Sequence, residues 1–181
     1  GPRVESRMML QASVISELGS ELGEAVHALN DVVVDRGPVA RLLDLDVRVD
    51  GVRLARYRAD GVIVATATGS TSYALAAGGP VLYPEARAML VQPVAPHMSL
   101  QTGLIVSADS VVEIRAHAGR QATLSADAIS DAILTQGDRV VVQRSPYATR
   151  FLRADPPAAF YSKLTERLGV NGRPLASKPG E

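Results

Sequence analysis

The 181-residue sequence contains no cysteine and no tryptophan, and only 4% of its residues are aromatic. Without cysteine the chain can form no disulfide, no thiolate metal site and no cysteine nucleophile, which fits a reducing compartment and predicts a cytoplasmic location. No apolar run approaches the roughly 20 residues that a membrane-spanning helix needs. No secretory signal peptide precedes the first strand-like segment. The sequence therefore predicts a protein with no membrane as partner.

An excess of charge of either sign is also absent, because 19 Lys and Arg residues balance 19 Asp and Glu residues. Nucleic acids and anionic membranes attract basic surfaces, so neither is expected as a partner. A hydrophobic content of 46% and a charged content of 21% indicate a globular chain rather than a disordered one. The length allows one domain with a core of its own, or one domain and part of a second.

Short runs of Val, Ile and Leu alternate with polar residues along most of the chain, without a βαβ rhythm. This pattern predicts a mainly β fold of about ten or more short strands, arranged as a β-sandwich or a barrel-like domain. The predicted strands are 7–16, its partner 25–34, 45–49, 52–57, 61–66, 104–106, 111–116, 122–126 and 139–143. Asp50-Gly51 predicts a tight hairpin, since both central residues of a type I′ turn need positive φ. Residues 61–66 predict a strand buried on both faces.

Residues 65–80, ATATGSTSYALAAGGP, carry the most informative pattern. Residues 70–77 predict one or two helical turns after a buried strand, capped by Ser70 or Thr71 and closed by two glycines. Free backbone N–H groups at the helix start and the hydroxyls of Thr68, Ser70 and Thr71 form a dense group of donors. Such a group suits an anionic or polyhydroxylated ligand such as a nucleotide. An ordinary capped helix after a strand has the same pattern.

Two further polar positions interrupt apolar strands. Asn30-Asp31 lies inside a predicted strand, where buried polar groups need partners. Adjacent strand residues face opposite ways, so both side chains can reach one ligand only at a bulge or a strand end. A solvent-facing edge or a turn is the alternative. Asp60 precedes a buried strand and could accept hydrogen bonds from a ribose, although Asp-Gly is also common in plain turns.

Residues 92–97 contain two prolines, which hold the segment extended, and end at His97. The chain has three histidines and no carboxylate at metal-ligand spacing, so a structural or hydrogen-bonding role is expected for His97 and no metal site is expected. Asp127 is a further candidate polar group near a turn. No Walker loop, G-x-G-x-x-G motif or Ser-His-Asp pattern is present.

Taken in order, these motifs resemble the NAD kinase family over about residues 5–168. The matching segments are Ala-Leu-Asn-Asp at 28–31, Ala-Asp-Gly at 59–61, Thr-Ala-Thr-Gly-Ser-Thr-Ser-Tyr at 66–73, Gly-Gly-Pro at 78–80 and Pro-His at 96–97. The resemblance implies the second domain of such an enzyme, a two-sheet β-sandwich with a short helix after the Gly-Ser-Thr turn. It further implies ATP-dependent phosphorylation of the adenosine ribose 2′-hydroxyl of NAD, which gives NADP.

The resemblance also implies a domain organisation, ligands and an assembly. Residues 5–153 form the NAD-binding sandwich, and 154–170 form a helix that would pack on an N-terminal α/β domain. Within that segment, residues 157–168 predict an amphipathic helix with Phe160, Leu164 and Leu168 on one face. The polar tail 171–181 is expected to be disordered. NAD as substrate, ATP as donor, Mg²⁺ or another divalent metal, and a homodimer or homotetramer are expected for the intact enzyme.

The expected NAD-binding residues are Asn30, Asp31, Asp60, Thr68, Ser70, Thr71, Ser72, Tyr73, Ala95 and His97. In the family, the residue matching Asp60 often reaches the substrate across a subunit interface. The family's Gly-Gly-Asp-Gly loop, which binds phosphate and supplies the catalytic Asp, does not occur in this sequence. We therefore expect the catalytic Asp to lie outside this chain, and the chain alone to bind substrate and oligomerise without turnover.

Three positions depart from the family pattern. Ala67 replaces the usual Pro, Ala128 replaces the usual Gly after Asp127, and Gln-Thr-Gly at 101–103 stands where Arg-Pro is common. Two other readings stay open. The chain could be an oligomerising NAD-binding module without catalysis, or a domain of a related diacylglycerol or sphingosine kinase. The Asn30-Asp31 pair and the Tyr73 motif favour the dinucleotide.

Overall fold

A computed structural model describes residues 2–38, 41–117 and 121–169. Within these ranges the chain forms twelve strands, one 3-10 turn and two helices. The strands are β1 (Arg3–Ile15), β2 (Glu21–Ala28), β3 (Asp31–Asp35), β4 (Leu43–Val49), β5 (Val52–Ala59), β6 (Gly61–Thr66), β7 (Ala88–Val94), β8 (Leu104–Ser107), β9 (Val112–Ala116), β10 (Ala122–Ala126), β11 (Ile129–Leu134) and β12 (Arg139–Arg153). The 3-10 turn is Gly69–Thr71, and the helices are α1 (Tyr73–Ala76) and α2 (Ala159–Arg167).

The strands form two six-stranded antiparallel sheets, which confirms the mainly β, two-sheet fold. The first sheet has the order β2-β1-β12-β9-β4-β5, and the second has the order β11-β10-β3-β6-β7-β8. Alternate residues of both sheets, such as Leu45 and Ile114 from the first and Val62 and Val64 from the second, belong to one buried apolar cluster. Because strand side chains alternate between faces, the two sheets pack through their apolar faces.

The other face of the second sheet is also covered. Val33, Ile63 and Leu90 point into a second apolar cluster that includes Ala74 of α1 and Leu82 of the following segment. All six residues of β6 are buried as a result. The prediction of a strand buried on both faces is therefore confirmed.

The hairpin predicted at Asp50-Gly51 is confirmed as well. Val49 pairs with Val52, and φ is 51° at Asp50 and 79° at Gly51. Positive φ at both central positions is the geometry that a two-residue hairpin with the right-handed twist of its strands requires.

The prediction of a single strand over residues 25–34 is wrong, because these residues contribute to two strands that lie in different sheets. β2 pairs with β1 in the first sheet, whereas β3 pairs with β6 and β10 in the second. The chain crosses between the sheets at Leu29 and Asn30. Their backbone N–H groups bond to a side chain instead of a neighbouring strand, which interrupts the ladder at this point.

Two strands escaped the sequence pattern. β7 contains Pro93, a residue type that is rare in central strands, and its pairing with β8 ends at Val91. Beyond that point the proline nitrogen faces no partner strand, so its missing N–H costs no ladder bond. The sequence predicts a turn near Asp127 but not β11, which follows β10 after two residues, because Ala128 disfavours the positive φ of a two-residue hairpin.

The helical turns after β6 form, but without the predicted capping. Thr68 precedes the 3-10 turn and Ser72 precedes α1, and neither side chain makes a capping hydrogen bond. The hydroxyl of Ser70, predicted as a cap, instead donates to the carbonyl of Ala67 at 2.7 Å. Gly78, at φ 84°, follows α1 as expected for a helix closed by glycine.

The chain divides into two compact units, the described parts of Gly1–Glu5 with Phe151–Glu181, and Ser6–Arg150. Within the first unit, α2 forms inside the predicted range 157–168, and none of its residues is buried. The expected boundary at 153–154 and the packing of this helix on another domain stay predictions. The predicted tail 171–181 lies outside the described residues.

Candidate functional site

The crossing between the sheets is held by one carboxylate. The backbone N–H groups of Leu29 and Asn30 donate to Asp127 Oδ2 and Oδ1, each at 2.7 Å, and that of Asp31 donates to Asp127 Oδ1 at 3.2 Å. The N–H of Asp127 returns a bond to the carbonyl of Asp31 at 3.0 Å. Hydrogen bonds to an ionised acceptor are about twice as strong as neutral ones. Asp127 therefore fixes the backbone from which Asn30 and Asp31 project.

Asp127 itself lies in the two-residue turn between β10 and β11. Its φ is 47° and that of Ala128 is 65°, so both central residues take the left-handed conformation. The turn that the Ala128 departure put in question keeps the geometry of a type I′ turn, in which Gly would be unstrained. The backbone strain of an alanine with positive φ is therefore located at Ala128, next to the carboxylate of Asp127 that holds the crossing.

Thr66, at the end of β6, joins the crossing to the Gly-Ser-Thr turn. Its hydroxyl donates to the carbonyl of Leu29 at 2.6 Å and accepts from the N–H of Gly69 at 3.0 Å. Its own N–H donates to the carbonyl of Asn30 at 2.8 Å. Two motifs that are 36 residues apart in sequence are thereby adjacent.

Gly69 is required by this contact. A Cβ placed on it would lie 1.9 Å from the carbonyl oxygen of Asn30 and 2.7 Å from its Cα. No other residue type has room there, because the obstructing atoms belong to the backbone. The turn and the crossing therefore share a single packed junction.

The hydroxyls predicted as ligand donors do not all face outward. Ser70 is fully buried, and its hydroxyl also accepts from the N–H of Leu82 at 2.9 Å, so both of its bonds lie inside the protein. Thr68 accepts from Arg7 Nη1 at 3.0 Å, and Thr71 donates to the carbonyl of Thr68 at 3.2 Å. Ser72 is exposed. Ser70 thus shapes the turn, and the exposed donors lie further along it.

Tyr73 lies among carboxylates from both motifs. Burial raises the pKa of its phenol, and the charges of Asp35, Asp60 and Asp31 raise it further, while Arg36 opposes them. Its side chain is 43% exposed, so the hydroxyl is accessible at the surface of this cluster. The strand register places Asp31, opposite Ala65, and Asp60, next to Gly61, at the two ends of the β3–β6 ladder. Tyr73 is within electrostatic reach of both carboxylates and keeps its proton as a donor at neutral pH.

Asp31 is the most perturbed acid of the cluster. Burial, and then the charge of Asp127, raise its pKa from 3.8 to about 6. The residue is only 5% exposed, and within the described part of the chain no side chain or N–H donates to its carboxylate. Buried acceptors are normally satisfied, so this carboxylate is suited to hydrogen bonds from a ligand.

Asp60 is held by a local ion pair. Arg36 Nε donates to Asp60 Oδ1 at 2.7 Å, and the backbones of the two residues are also bonded at 3.1 Å. Both side chains are about one-third exposed, so solvent screens the pair. Asp60 is oriented by this pair, and its second oxygen remains available.

Ala95 and His97 lie on the Asp60 side of the site. The carbonyl of Val94 accepts from the N–H of Asp60 at 3.0 Å, and Ala95 follows with φ 45°. The N–H of His97 donates to the carbonyl of Arg58 at 2.7 Å. Both Ala95 and His97 are exposed, so their side chains line the surface beside Asp60 rather than its buried wall.

Sequence reasoning missed Thr66, Asp35 and Arg36, and left Asp127 without a role. A Thr at the end of a fully apolar strand was the signal for Thr66, since a buried hydroxyl needs a partner. Asp35-Arg36 follows β3 directly, and only the pairing of β3 with β6 shows that these residues lie beside Asp60.

Solved structures of an NADH kinase and an NAD kinase share this architecture. The yeast NADH kinase, solved in complex with NADH, superposes with a TM-score of 0.86 at 30% sequence identity, over 97% of this chain and 51% of that one. An NAD kinase from Archaeoglobus fulgidus, solved in complex with ATP, gives a TM-score of 0.75 at 29% identity, over 90% of this chain and 60% of that one. The fold is therefore that of the second domain found in these kinases.

The chain belongs to the ATP-NAD kinase C-terminal domain family, whose model matches residues 29–154. It is 45% identical over 166 residues to the NAD kinase of Symbiobacterium thermophilum, covering 91% of this chain and 58% of that protein. It is 42% identical over 150 residues to the NAD kinase of Chloroflexus aggregans, covering 83% of this chain and 54% of that protein. The chain thus spans a little over half the length of these relatives.

Neither a membrane-spanning helix nor a metal-binding cluster is found among the described residues. No helix among them is long and apolar enough to cross a membrane. No group of three or more His, Asp or Glu side chains among them is arranged to hold a metal ion.

Proposed function

We propose that this chain is the dinucleotide-binding half of an NAD kinase, which transfers a phosphoryl group from ATP to the 2′-hydroxyl of the adenosine ribose of NAD. The observation that carries the proposal is the junction of Asn30-Asp31 with the Gly-Ser-Thr turn and Tyr73. A buried carboxylate, Asp31, lies within electrostatic reach of a phenol, Tyr73, that retains its proton. The relatives named NAD kinase, and the similar structures solved with NADH and ATP, support it.

Each side of this cluster suits a different part of a dinucleotide. A ribose offers two neighbouring hydroxyl donors, and the carboxylate of Asp31 can accept from them. Asn30 and Tyr73 supply neutral donors for oxygen or ring-nitrogen acceptors. Thr71, Ser72 and the backbone of the turn provide further donors near phosphate oxygens. Asp60, Ala95 and His97 border the same surface.

Phosphoryl transfer requires an in-line approach of the ribose 2′-oxygen to the γ-phosphorus of ATP, departure of ADP, and a base for the hydroxyl proton. We assign to this chain the positioning of the ribose and assign the base to the remaining part of the enzyme. Burial and the charge of Asp127 raise the pKa of Asp31 to about 6, so at neutral pH most of its carboxylate is still ionised and can accept the ribose hydrogen bonds.

Mg²⁺ or another divalent metal would neutralise charge on the ATP phosphates. The described residues do not fit a site for it, since no cluster of three acidic or histidine ligands is present among them. We therefore place the metal with ATP and with the other half of the enzyme. A cytoplasmic, homo-oligomeric enzyme, with Asp60 near a subunit boundary, completes the proposal.

The proposal is tested by two measurements on matched proteins. The full-length enzyme is expected to form NADP from NAD, ATP and Mg²⁺, while the 181-residue chain binds NAD in calorimetry and forms no NADP. A panel with diacylglycerol and sphingosine as acceptors should give no product. No NADP from the full-length enzyme would disprove the activity, and turnover by the chain alone would show that it contains the base.

Asn30→Ala and Tyr73→Phe are expected to weaken NAD binding by the chain about tenfold each, since each removes one hydrogen bond to the ligand worth about 1.5 kcal/mol. Tyr147→Phe, which removes the same phenol hydroxyl from an exposed side chain of β12, is the matched control and should leave the affinity unchanged. If all three variants bind NAD as tightly as the original chain does, the dinucleotide binds elsewhere.

A further inference from the structure

A second cleft lies on the first sheet, away from the Asn30 junction. It has a volume of about 410 Å³, within the range of small-ligand sites. Its walls are Asp46, Arg48, Gly51, Arg53, Glu113, Arg115, His117 and Arg139, from β4, β5, β9, β12 and the connections beside them. The inward neighbours of these residues, Val47 and Ile114 among them, are in the core, so the cleft is on the outward face of the sheet.

The strand register places like charges opposite one another in this cleft. Arg115 on β9 pairs with Arg139 on β12, and Arg48 on β4 pairs with Arg53 on β5. Across the β4–β9 ladder, Arg115 lies opposite Asp46 and Arg48 lies opposite Glu113. Directly opposite like charges destabilise an antiparallel pair. The acidic residues across the β4–β9 ladder relieve part of the repulsion in these two arginine pairs, and a bound anion would offset the rest.

The carboxylates in the cleft do not balance these arginines. Asp46 is buried, and both of its oxygens accept from Arg53, each at 3.0 Å. Among the described residues Arg115 has no acidic partner, and Arg48 donates to the carbonyl of Gly51 at 3.3 Å. Four guanidinium groups and two carboxylates leave a formal charge of +2 in a chain whose total is zero.

Two buried nitrogen atoms in the cleft also lack acceptors. His117 Nε2 and Arg139 Nε are shielded from solvent and have no hydrogen-bond partner in the described part of the chain. Arg139 Nε is 3.6 Å from Glu113 Oε2, too far for a hydrogen bond. Buried polar atoms are normally satisfied, so the wall of the cleft keeps hydrogen-bonding capacity that the fold itself does not use.

We propose that this cleft binds a small phosphate-class anion, such as pyrophosphate or a phosphate monoester with at least two negative charges. Guanidinium groups match phosphate oxygens in pairs, and the cleft offers two that carry no acidic partner. The negative charges of Asp46 and Glu113 inside the cleft disfavour the binding of a long polyanion such as a nucleic acid. The proposal does not depend on the dinucleotide site, whose residues belong to the other sheet and its connections.

Calorimetric titration of the 181-residue chain with inorganic pyrophosphate, at constant ionic strength, tests the proposal. Saturable binding of one pyrophosphate per chain is expected. Arg115→Gln and, separately, Arg48→Gln should each weaken it at least tenfold. Arg150→Gln, an equal charge change at an exposed position of β12, should leave the affinity within twofold of the original chain. The ligand-free melting temperatures should stay within about 2 °C, because surface substitutions change stability little.

Three other outcomes would overturn the proposal. No saturable binding, or equal binding by the original chain and both cleft variants, would show that pyrophosphate does not use this cleft. Competition between pyrophosphate and saturating NAD would place the anion in the dinucleotide site instead. A single-stranded oligonucleotide that binds more tightly than pyrophosphate, and loses binding in the same variants, would change the ligand class.

Discussion

At the scale of single residues, Asp31 shows a conflict between stability and ligand binding. Its carboxylate is buried beside Asp127, and its pKa rises from 3.8 to about 6. Folding at neutral pH therefore confines a charge that is better solvated in the unfolded chain. A neutral side chain at this position would give a more stable fold, so stability does not explain the presence of Asp31. This supports a role for Asp31 in accepting hydrogen bonds from a ligand.

Replacing Asp31 by Asn should raise the free energy of unfolding at pH 7 by about 1 to 3 kcal/mol, while weakening NAD binding. The folded pKa is raised, so the cost of the charge is complete above about pH 6 and disappears as pH falls towards 4. Urea unfolding of both chains from pH 4 to pH 8 measures this difference. A difference that grows as pH falls would contradict the assignment.

Asp127 is the residue on which the crossing depends, because one carboxylate accepts three backbone bonds. Asp127→Ala should lower the free energy of unfolding by about 2 to 4 kcal/mol, since buried N–H groups are left without an acceptor. The pKa of Asp31, followed by NMR in the less disruptive Asp127→Asn chain, should fall, because the charge of Asp127 raises it.

Asp109→Ala is the control for this change, since Asp109 is exposed and its ion pairs are screened. It should alter stability by less than about 1 kcal/mol. Equal losses for Asp109→Ala and Asp127→Ala would show that the three backbone bonds contribute little.

At the scale of elements, the turn between β10 and β11 carries strain that one substitution relieves. Ala128 has φ 65°, where a side chain costs about 1 kcal/mol or more and glycine does not. Ala128→Gly should therefore stabilise the chain by about 1 kcal/mol, measured as the urea midpoint. Ala88→Gly, in the extended strand β7, should destabilise it by a similar amount. Destabilisation by both would mean that the turn relaxes in solution.

The contact between the Gly-Ser-Thr turn and the crossing is tested by Gly69→Ala. Its Cβ would overlap the Asn30 carbonyl, so the turn must move, and we expect a loss of more than about 2 kcal/mol together with weaker NAD binding. Gly19→Ala adds a methyl group at φ 88° with no atom within 4 Å, and should cost only about 1 kcal/mol without affecting NAD.

The elements that the sequence predicted well have local causes. The Asp50-Gly51 hairpin follows from backbone sterics at two residues, and β6 follows from an unbroken apolar run. The split between β2 and β3 could not be predicted in this way. Residues 25–34 alternate like one strand, and the interruption comes from Asp127, almost 100 residues later in the chain. The pairing of β3 with β6 places Asp31 and Asp60 at the two ends of one ladder, within electrostatic reach of Tyr73, so the motifs indicated the site residues but not their arrangement.

At the scale of the whole molecule, α2 is the element with an unexplained surface. Leu164 is half-buried, Leu168 is 45% exposed, and no residue of the helix is buried. If the other half of the enzyme covers this face, Leu164→Ser with Leu168→Ser should change the melting temperature of the 181-residue chain by no more than about 2 °C. The same pair should lower both the stability and the activity of the full-length enzyme. Lys163→Ser is the control on the charged face, and equal effects in both proteins would contradict the expected cover.

The crossing at Leu29 and Asn30 would make the proposed dinucleotide site part of the connection between the two sheets. A dinucleotide held at this hinge of the sandwich would restrain both layers at once, since β2 leaves one and β3 enters the other at the same point. Occupancy should therefore slow amide exchange in strands that never touch the ligand. Slower amide exchange in strands of both sheets would then be a measure of binding that does not require contact with the ligand.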